Sequence, residues 1–115
     1  MSDFQMYLIP ALFVSYLAYK VVKFKKVRKM IPKLLEAGAL VVDVRTPAEF
    51  NSAAAPGSLN IPLNQIQARA NELDPAKTIL VCCASGTRSG IAAGILKQQG
   101  FKSVVNAGPW TNVLA

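Results

Sequence analysis

Thr78-Ile79-Leu80-Val81-Cys82-Cys83-Ala84-Ser85-Gly86-Thr87-Arg88-Ser89 decides the reading of this chain. An apolar β-branched run, the strongest strand signal in the sequence, passes into small polar residues and then into a helical pattern that runs from Ser89 to Gln99 and is closed by Gly100. In such a junction successive backbone amides point into the loop, and the helix N-terminus adds the positive end of its dipole. The resulting cradle favours an anion. A cysteine at its start has its thiolate stabilised, and Arg88 adds a fixed cation. A thiolate formed this way is a nucleophile without a histidine base. A buried cysteine at a strand end is commonly a small core filler. Cys, Gly, Arg and Ser together at a strand–helix junction favour the chemical reading.

Outward from this junction the chain alternates. Leu40-Val41-Val42-Asp43-Val44 reads as a buried strand after a short helix, Ile31 to Ala37, closed by Gly38. Thr46-Pro47-Ala48-Glu49 is a helix start: Thr46 caps, Pro47 suits the first helical position, and Glu49 reaches back to the cap amide. Pro56-Gly57 turns into a short strand at Leu59-Asn60-Ile61. Residues 63–72 suit a helix with Leu63, Ile66 and Ala70 on one side, and Asp74-Pro75 breaks it. Along the helix from Ser89, Ile91, Gly94, Ile95 and Gln98 share a side, and Val104-Val105 forms a last strand. Alternating strands and helices predict an α/β fold with a mostly parallel sheet flanked by helices, over residues 31–115.

Residues 1–30 read differently. Positions 4–19 carry no charge, and extension to Phe24 gives a run of about 31 Å if Lys20 and Lys23 snorkel. Tyr16 and Tyr19 beside those lysines suit an aromatic belt. A cleaved signal peptide wants its positive charge before the apolar run, and an interfacial helix wants a polar face; neither is present. A helix buried in a soluble protein would need more than the small remaining domain to enclose it. One transmembrane helix followed by a basic juxtamembrane segment is the reading. The formal charge of +7 supports it, because Lys20, Lys23, Lys25, Lys26, Arg28, Lys29 and Lys33 lie together without an acid. The positive flank places the following domain in the cytoplasm, and residues 4–29 meet membrane lipid. No aromatic platform accompanies the basic run, so nucleic acid is not an expected partner. On this reading the loop chemistry lies wholly within residues 34–115.

Composition excludes further classes. The chain has no histidine, which removes Ser-His-Asp and Cys-His catalysis and the usual zinc sites with histidine ligands. Two adjacent cysteines make neither a four-cysteine metal site nor a C-x-x-C pair, and they fit a reducing compartment. No metal or cofactor is expected.

Three blocks resemble the single-domain rhodaneses, a family of sulfurtransferases: Val41 to Phe50, Pro56 to Leu63, and Cys83 to Ser89. The resemblance implies a rhodanese-like fold and a two-step reaction. Cys83 takes the outer sulfur of a donor such as thiosulfate as a persulfide, then passes it to a thiol or cyanide acceptor. It also implies substrate binding by Ala84, Ser85, Gly86, Thr87, Arg88 and Ser89, with Arg88 pairing with the donor's sulfonate end or shaping the loop. Asp43 and Arg45, two apart on a strand, support the loop, and Trp110 packs. Two departures stand out: Ala53-Ala54-Ala55 replaces Gly-His-Ile, and Asn106-Ala107-Gly108-Pro109-Trp110 keeps only part of the family's ending. The short ending leads us to expect thin cover on one side of the sheet, with an exposed apolar patch and a partner over it. Two other classes are weighed. Counted from Cys82, the loop is the Cys-x5-Arg pattern of cysteine-dependent phosphatases, though Gly86 fits only the Cys83 register. A non-catalytic, membrane-tethered sulfur carrier is the third class.

Overall fold

The computed structural model describes residues 3–114. Four parallel strands form one sheet in the order β2-β1-β3-β4: β1 Leu40–Asp43, β2 Leu59–Asn60, β3 Ile79–Cys83 and β4 Val104–Pro109. Parallel neighbours require crossovers, and the intervening segments supply them. These are α2 (Pro47–Ser52), α3 (Ile66–Arg69) and α4 (Thr87–Gln98). The α/β architecture expected from the sequence, a parallel sheet flanked by helices, is present.

β3 is buried along its whole length, so its alternation sorts the core into two layers. Ile79, Val81 and Cys83 face a cluster containing Val42, Ile61, Ile66, Ala92 and Leu96. Leu80 and Cys82 face a second cluster with Ile31, Val41, Ala107 and Val113. α3 and α4 cover the first face. The second is covered by the C-terminal half of α1 (Asp3–Glu36) and by the 3-10 turn Trp110–Val113.

That cover corrects one expectation. Val27, Leu34, Leu35 and Trp110 pack where an exposed apolar patch was foreseen, so the short ending needs no outside partner for this face. The reason lies in α1, which is a single helix where the sequence suggested a span and a separate short helix. Its 34 residues run about 51 Å at 1.5 Å per residue. Pro32 costs the helix one hydrogen bond and disfavours helical backbone at Ile31. Complete burial of Ile31 between helix and sheet offsets this, and the helix continues through. It ends where Ala39 N–H donates to the Leu34 carbonyl and Gly38 N–H to that of Leu35, a Schellman closure.

The N-terminal half of α1 is the opposite case. Its apolar window is long enough to cross a membrane, and none of that window is buried. Phe4, Ile9, Leu12, Phe13 and Tyr16 are all more than half exposed. Burial inside this chain therefore does not explain the run.

Two helix details differ from the pattern reading. Residues 63–72 form a short α-helix between two 3-10 turns, Leu63–Gln65 and Ala70–Glu72, although Ile66 and Ala70 point inward as expected. Gln65 N–H to Pro62 O and Leu73 N–H to Ala70 O tighten the two ends. On α4 the buried stripe is Ser89, Ala92, Ala93 and Leu96, while Ile91 is 54% exposed. α4 leaves the end of β3 directly and lies close against it, so small side chains occupy the contact and the bulkier Ile91 is turned outward.

Candidate active site

The site is built where β3 ends. Cys83 is the last strand residue, Ala84 to Gly86 turn, and α4 begins at Thr87. Gly86 caps the helix at φ +99°, a left-handed conformation that disfavours any side chain. Space forbids one as well, since a Cβ there would stand 2.8 Å from the Phe24 ring and 3.3 Å from the Gly108 Cα. The tight turn brings Gly86 N–H to 2.9 Å from the Cys83 Sγ, to which it donates. Ser89, one turn into α4, sets its hydroxyl 3.3 Å from the same sulfur.

These donors decide the thiol's acidity. Burial is the largest single influence and pushes the Cys83 thiol up. The Ser89 hydroxyl and the backbone amides of Ser89, Gly86 and Ser85 stabilise the thiolate and together outweigh it. The net result lies below the ordinary thiol value. Among the described residues no such donor reaches Cys82. It faces the second core cluster, and burial followed by the neighbouring Asp43 charge pushes it up to about 12. The two adjacent cysteines are thus opposite in face and in chemistry.

Asn106 is a site residue that sequence reasoning did not single out. Its Nδ2 donates to the Gly86 carbonyl at 2.9 Å, pinning the turn. Its Oδ1 accepts from Ser89 Oγ at 2.6 Å and from Gly108 N–H at 3.0 Å. The Ser89 hydroxyl has one proton for two acceptors. Because Gly108 also serves the Asn106 oxygen, that proton can turn to sulfur when Cys83 ionises. β4 makes room for this by a bulge: Val81 pairs with Asn106, but Cys82 pairs with Gly108. The available signal was a polar residue inside an apolar strand.

Arg88 is committed to another element. Its Nη1 and Nη2 donate to the Glu49 carboxylate at 2.7 and 3.0 Å, tying the start of α4 to α2. Arg88 first, with the Thr46 amide and hydroxyl, holds the Glu49 carboxyl down to about 2. Glu49 also completes the capping box with Thr46 that the sequence predicted. Its reach to Arg88, 39 residues away, had no local signal. Of the remaining loop residues, Ala84, Ser85 and Thr87 are exposed and Ser89 is buried.

Asp43 and Arg45 lie on the Cys82 side of the sheet. Arg45 Nε and Nη2 donate to the Asp43 carboxylate at 2.8–3.0 Å, and Nη2 also donates to the Ala53 carbonyl at 2.7 Å. The guanidinium stacks 4.9 Å over the Trp110 ring. This pair joins β1, the segment after α2 and the turn after β4; it does not touch Cys83.

The N-terminal helix also reaches the loop, contrary to the view of it as an anchor alone. The Phe24 ring sits over Gly86 and Gly108. Beside it a cavity of about 410 Å³ opens between α1 and the start of α4, lined by Lys20, Lys23, Phe24, Gly86 and Thr87 among others. Among the described residues no cluster of three or more metal-ligating side chains occurs.

A strand, a glycine-capped helix and a cysteine held between them define a class of α/β domains with a nucleophile-ready cysteine loop. Residues 26–110 match the rhodanese-like domain family, and the chain belongs to that family. A Bacillus subtilis relative named "Putative sulfur carrier protein YrkF" is 44% identical over 75 residues, 62% of this chain and 40% of its own. This chain therefore spans less than half of that relative. The thiosulfate sulfurtransferase PspE of Escherichia coli is 38% identical over 69 residues, 58% of this chain and 66% of that one. The uncharacterized protein YqhL of Bacillus subtilis is 33% identical over 110 residues, 92% of this chain and 87% of its own, an alignment that runs through most of α1. A solved structure described as a rhodanese with anions from E. coli superposes with a TM-score of 0.61 at 34% identity, over 65% of this chain and 91% of that one.

Proposed function

We propose that the chain is a sulfurtransferase carrying sulfane sulfur as a Cys83 persulfide. The observation behind this reading is the 2.9 Å hydrogen bond from Gly86 N–H to Cys83 Sγ at the start of a 12-residue helix. The same donors that favour a thiolate favour a persulfide anion. In the first half-reaction the Cys83 thiolate attacks the outer sulfur of thiosulfate, the sulfur–sulfur bond breaks, and sulfite leaves with the electron pair. In the second, an acceptor thiolate or cyanide attacks the outer persulfide sulfur and the Cys83 thiolate is restored. No cofactor enters either step. Intact mass spectrometry after incubation with thiosulfate is expected to find one added sulfur atom, lost again on adding a thiol. An unmodified mass in a chain that was reduced and freed of reductant before thiosulfate was added, or steady hydrolysis of an aryl phosphate, overturns the reading, the latter in favour of a phosphatase. Persulfide that loads but turns over slowly identifies a carrier.

The exposed apolar half of α1 acts as a single membrane anchor in this proposal. The basic run from Lys20 to Lys33 keeps the domain on the cytoplasmic side, and its later members Lys25, Lys26 and Lys29 meet anionic headgroups. An impermeant thiol reagent applied to intact cells is expected to label a Phe4→Cys variant and to miss Asn71→Cys, an exposed position of the domain. The reverse pattern rejects the topology.

A further inference from the structure

We infer that Lys20 and Lys23 of α1 form the subsite that holds the anionic end of the sulfur donor, so the N-terminal helix sets donor specificity as well as location. This deepens the sulfurtransferase reading and rests on it for the identity of the donor. A donor such as thiosulfate brings negative charge to the loop, and the charge needs a partner. Arg88, the loop's own cation, is bound bidentately to Glu49 and its charge is matched there. Arg45 is matched by Asp43 on the other side of the sheet.

The cavity beside Phe24 supplies what the loop lacks. One wall is Gly86, Thr87 and Gly90 at the start of α4; the other is α1, with Tyr19, Lys20 and Lys23. No carboxylate lines it, and neither lysine joins an ion pair among the described residues. The Lys20 ammonium is held rather than free, 5.6 Å from the Tyr16 ring centroid and 6.0 Å from that of Phe24. Lys20 and Lys23 thus line, together with the N-terminal turn of a 12-residue helix, a cavity of about 410 Å³ that no carboxylate shares. Walls of one sign of charge raise the local concentration of small anions. An uncharged donor gains nothing from this.

The test separates charge from access, on the full chain in an uncharged detergent. Iodoacetate and iodoacetamide both alkylate a thiolate by displacing iodide, but only the first is an anion. The Lys20→Gln/Lys23→Gln double variant is expected to slow alkylation of Cys83 by iodoacetate about three- to tenfold and leave the iodoacetamide rate unchanged. The thiosulfate concentration for half-maximal persulfide loading is expected to rise similarly at unchanged maximal rate. Arginine at both positions is expected to restore both. Rates that fall equally for the two reagents, do not change, or are zero for both in the unsubstituted chain overturn the subsite. Charge-selective alkylation in a chain that never loads sulfur retains the subsite and removes the sulfurtransferase reading.

Discussion

Cys83→Ser is expected to abolish sulfur loading from thiosulfate, and Cys82→Ser to retain most of it. The difference follows from where each sulfur sits. Cys83 receives Gly86 N–H and faces Ser89, and its thiol lies below the ordinary value. Both cysteines are wholly buried, but Cys82 lies on the opposite face and is pushed up to about 12, so almost none of it is thiolate near neutrality. Placing a hydroxyl among Ile31, Leu80 and Val113 costs about 1–3 kcal/mol of stability without touching the nucleophile. The pH dependence carries the same assignment. The reactive thiolate is lost as pH falls through the Cys83 pKa, so the rate with iodoacetamide should reach half its maximum below pH 9.0, the ordinary thiol value. Ser89→Ala removes a thiolate donor and should move that midpoint upward. Loss of loading in Cys82→Ser with Cys83 intact, or a midpoint unmoved by Ser89→Ala, would show that the donors have been assigned to the wrong sulfur.

Which parts of this arrangement could be read from residue order depends on how local their causes are. The capping box at Thr46 and Glu49, the alternation that puts Cys82 and Cys83 on opposite faces, and the glycine turn after Cys83 each lie within a few residues. Each is present in the structure. The contacts that tune the site are not local. Glu49 meets Arg88 across 39 positions, Asn106 meets Gly86 across 20, and Phe24 reaches Gly86 from another helix. No periodicity reports such pairs. α1 shows the same limit at larger scale. Hydropathy marks its first half, but the merger with residues 31–36 depends on Ile31 finding the far face of the sheet. The small-residue stripe of α4 was hidden for a related reason. Its hydrophobic side chains are spread around the helix, and proximity to β3 decides which ones are covered.

Arg45→Met should be the most damaging substitution to stability, at about 3–5 kcal/mol, because it strands a buried carboxylate. Asp43 is fully buried and loses three side-chain hydrogen bonds at once, keeping only the backbone N–H of residue 45. The Ala53 carbonyl loses its 2.7 Å donor, and the Trp110 ring loses the cation stacked on it. In thermal unfolding this should lower Tm by roughly 10 °C or more. The exposed Arg69–Glu72 pair provides the contrast. Its geometry is as short, 2.7 Å, but water solvates both partners when it breaks, and Arg69→Ala should leave Tm within scatter. The penalty in Arg45→Met is one of abandonment rather than of lost attraction, which a double variant can separate. Asp43→Val with Arg45→Met removes both charges, so no ion is left without a partner, and most of the lost stability should return. Equal instability of the single and double variants would mean that the stack on Trp110 and the tie to Ala53, not the ion pair, hold this corner together. Because the pair lies beside Cys82 and away from Cys83, the fraction that remains folded in Arg45→Met should still load sulfur. A folded but unloadable Arg45→Met would place the pair in the chemistry instead.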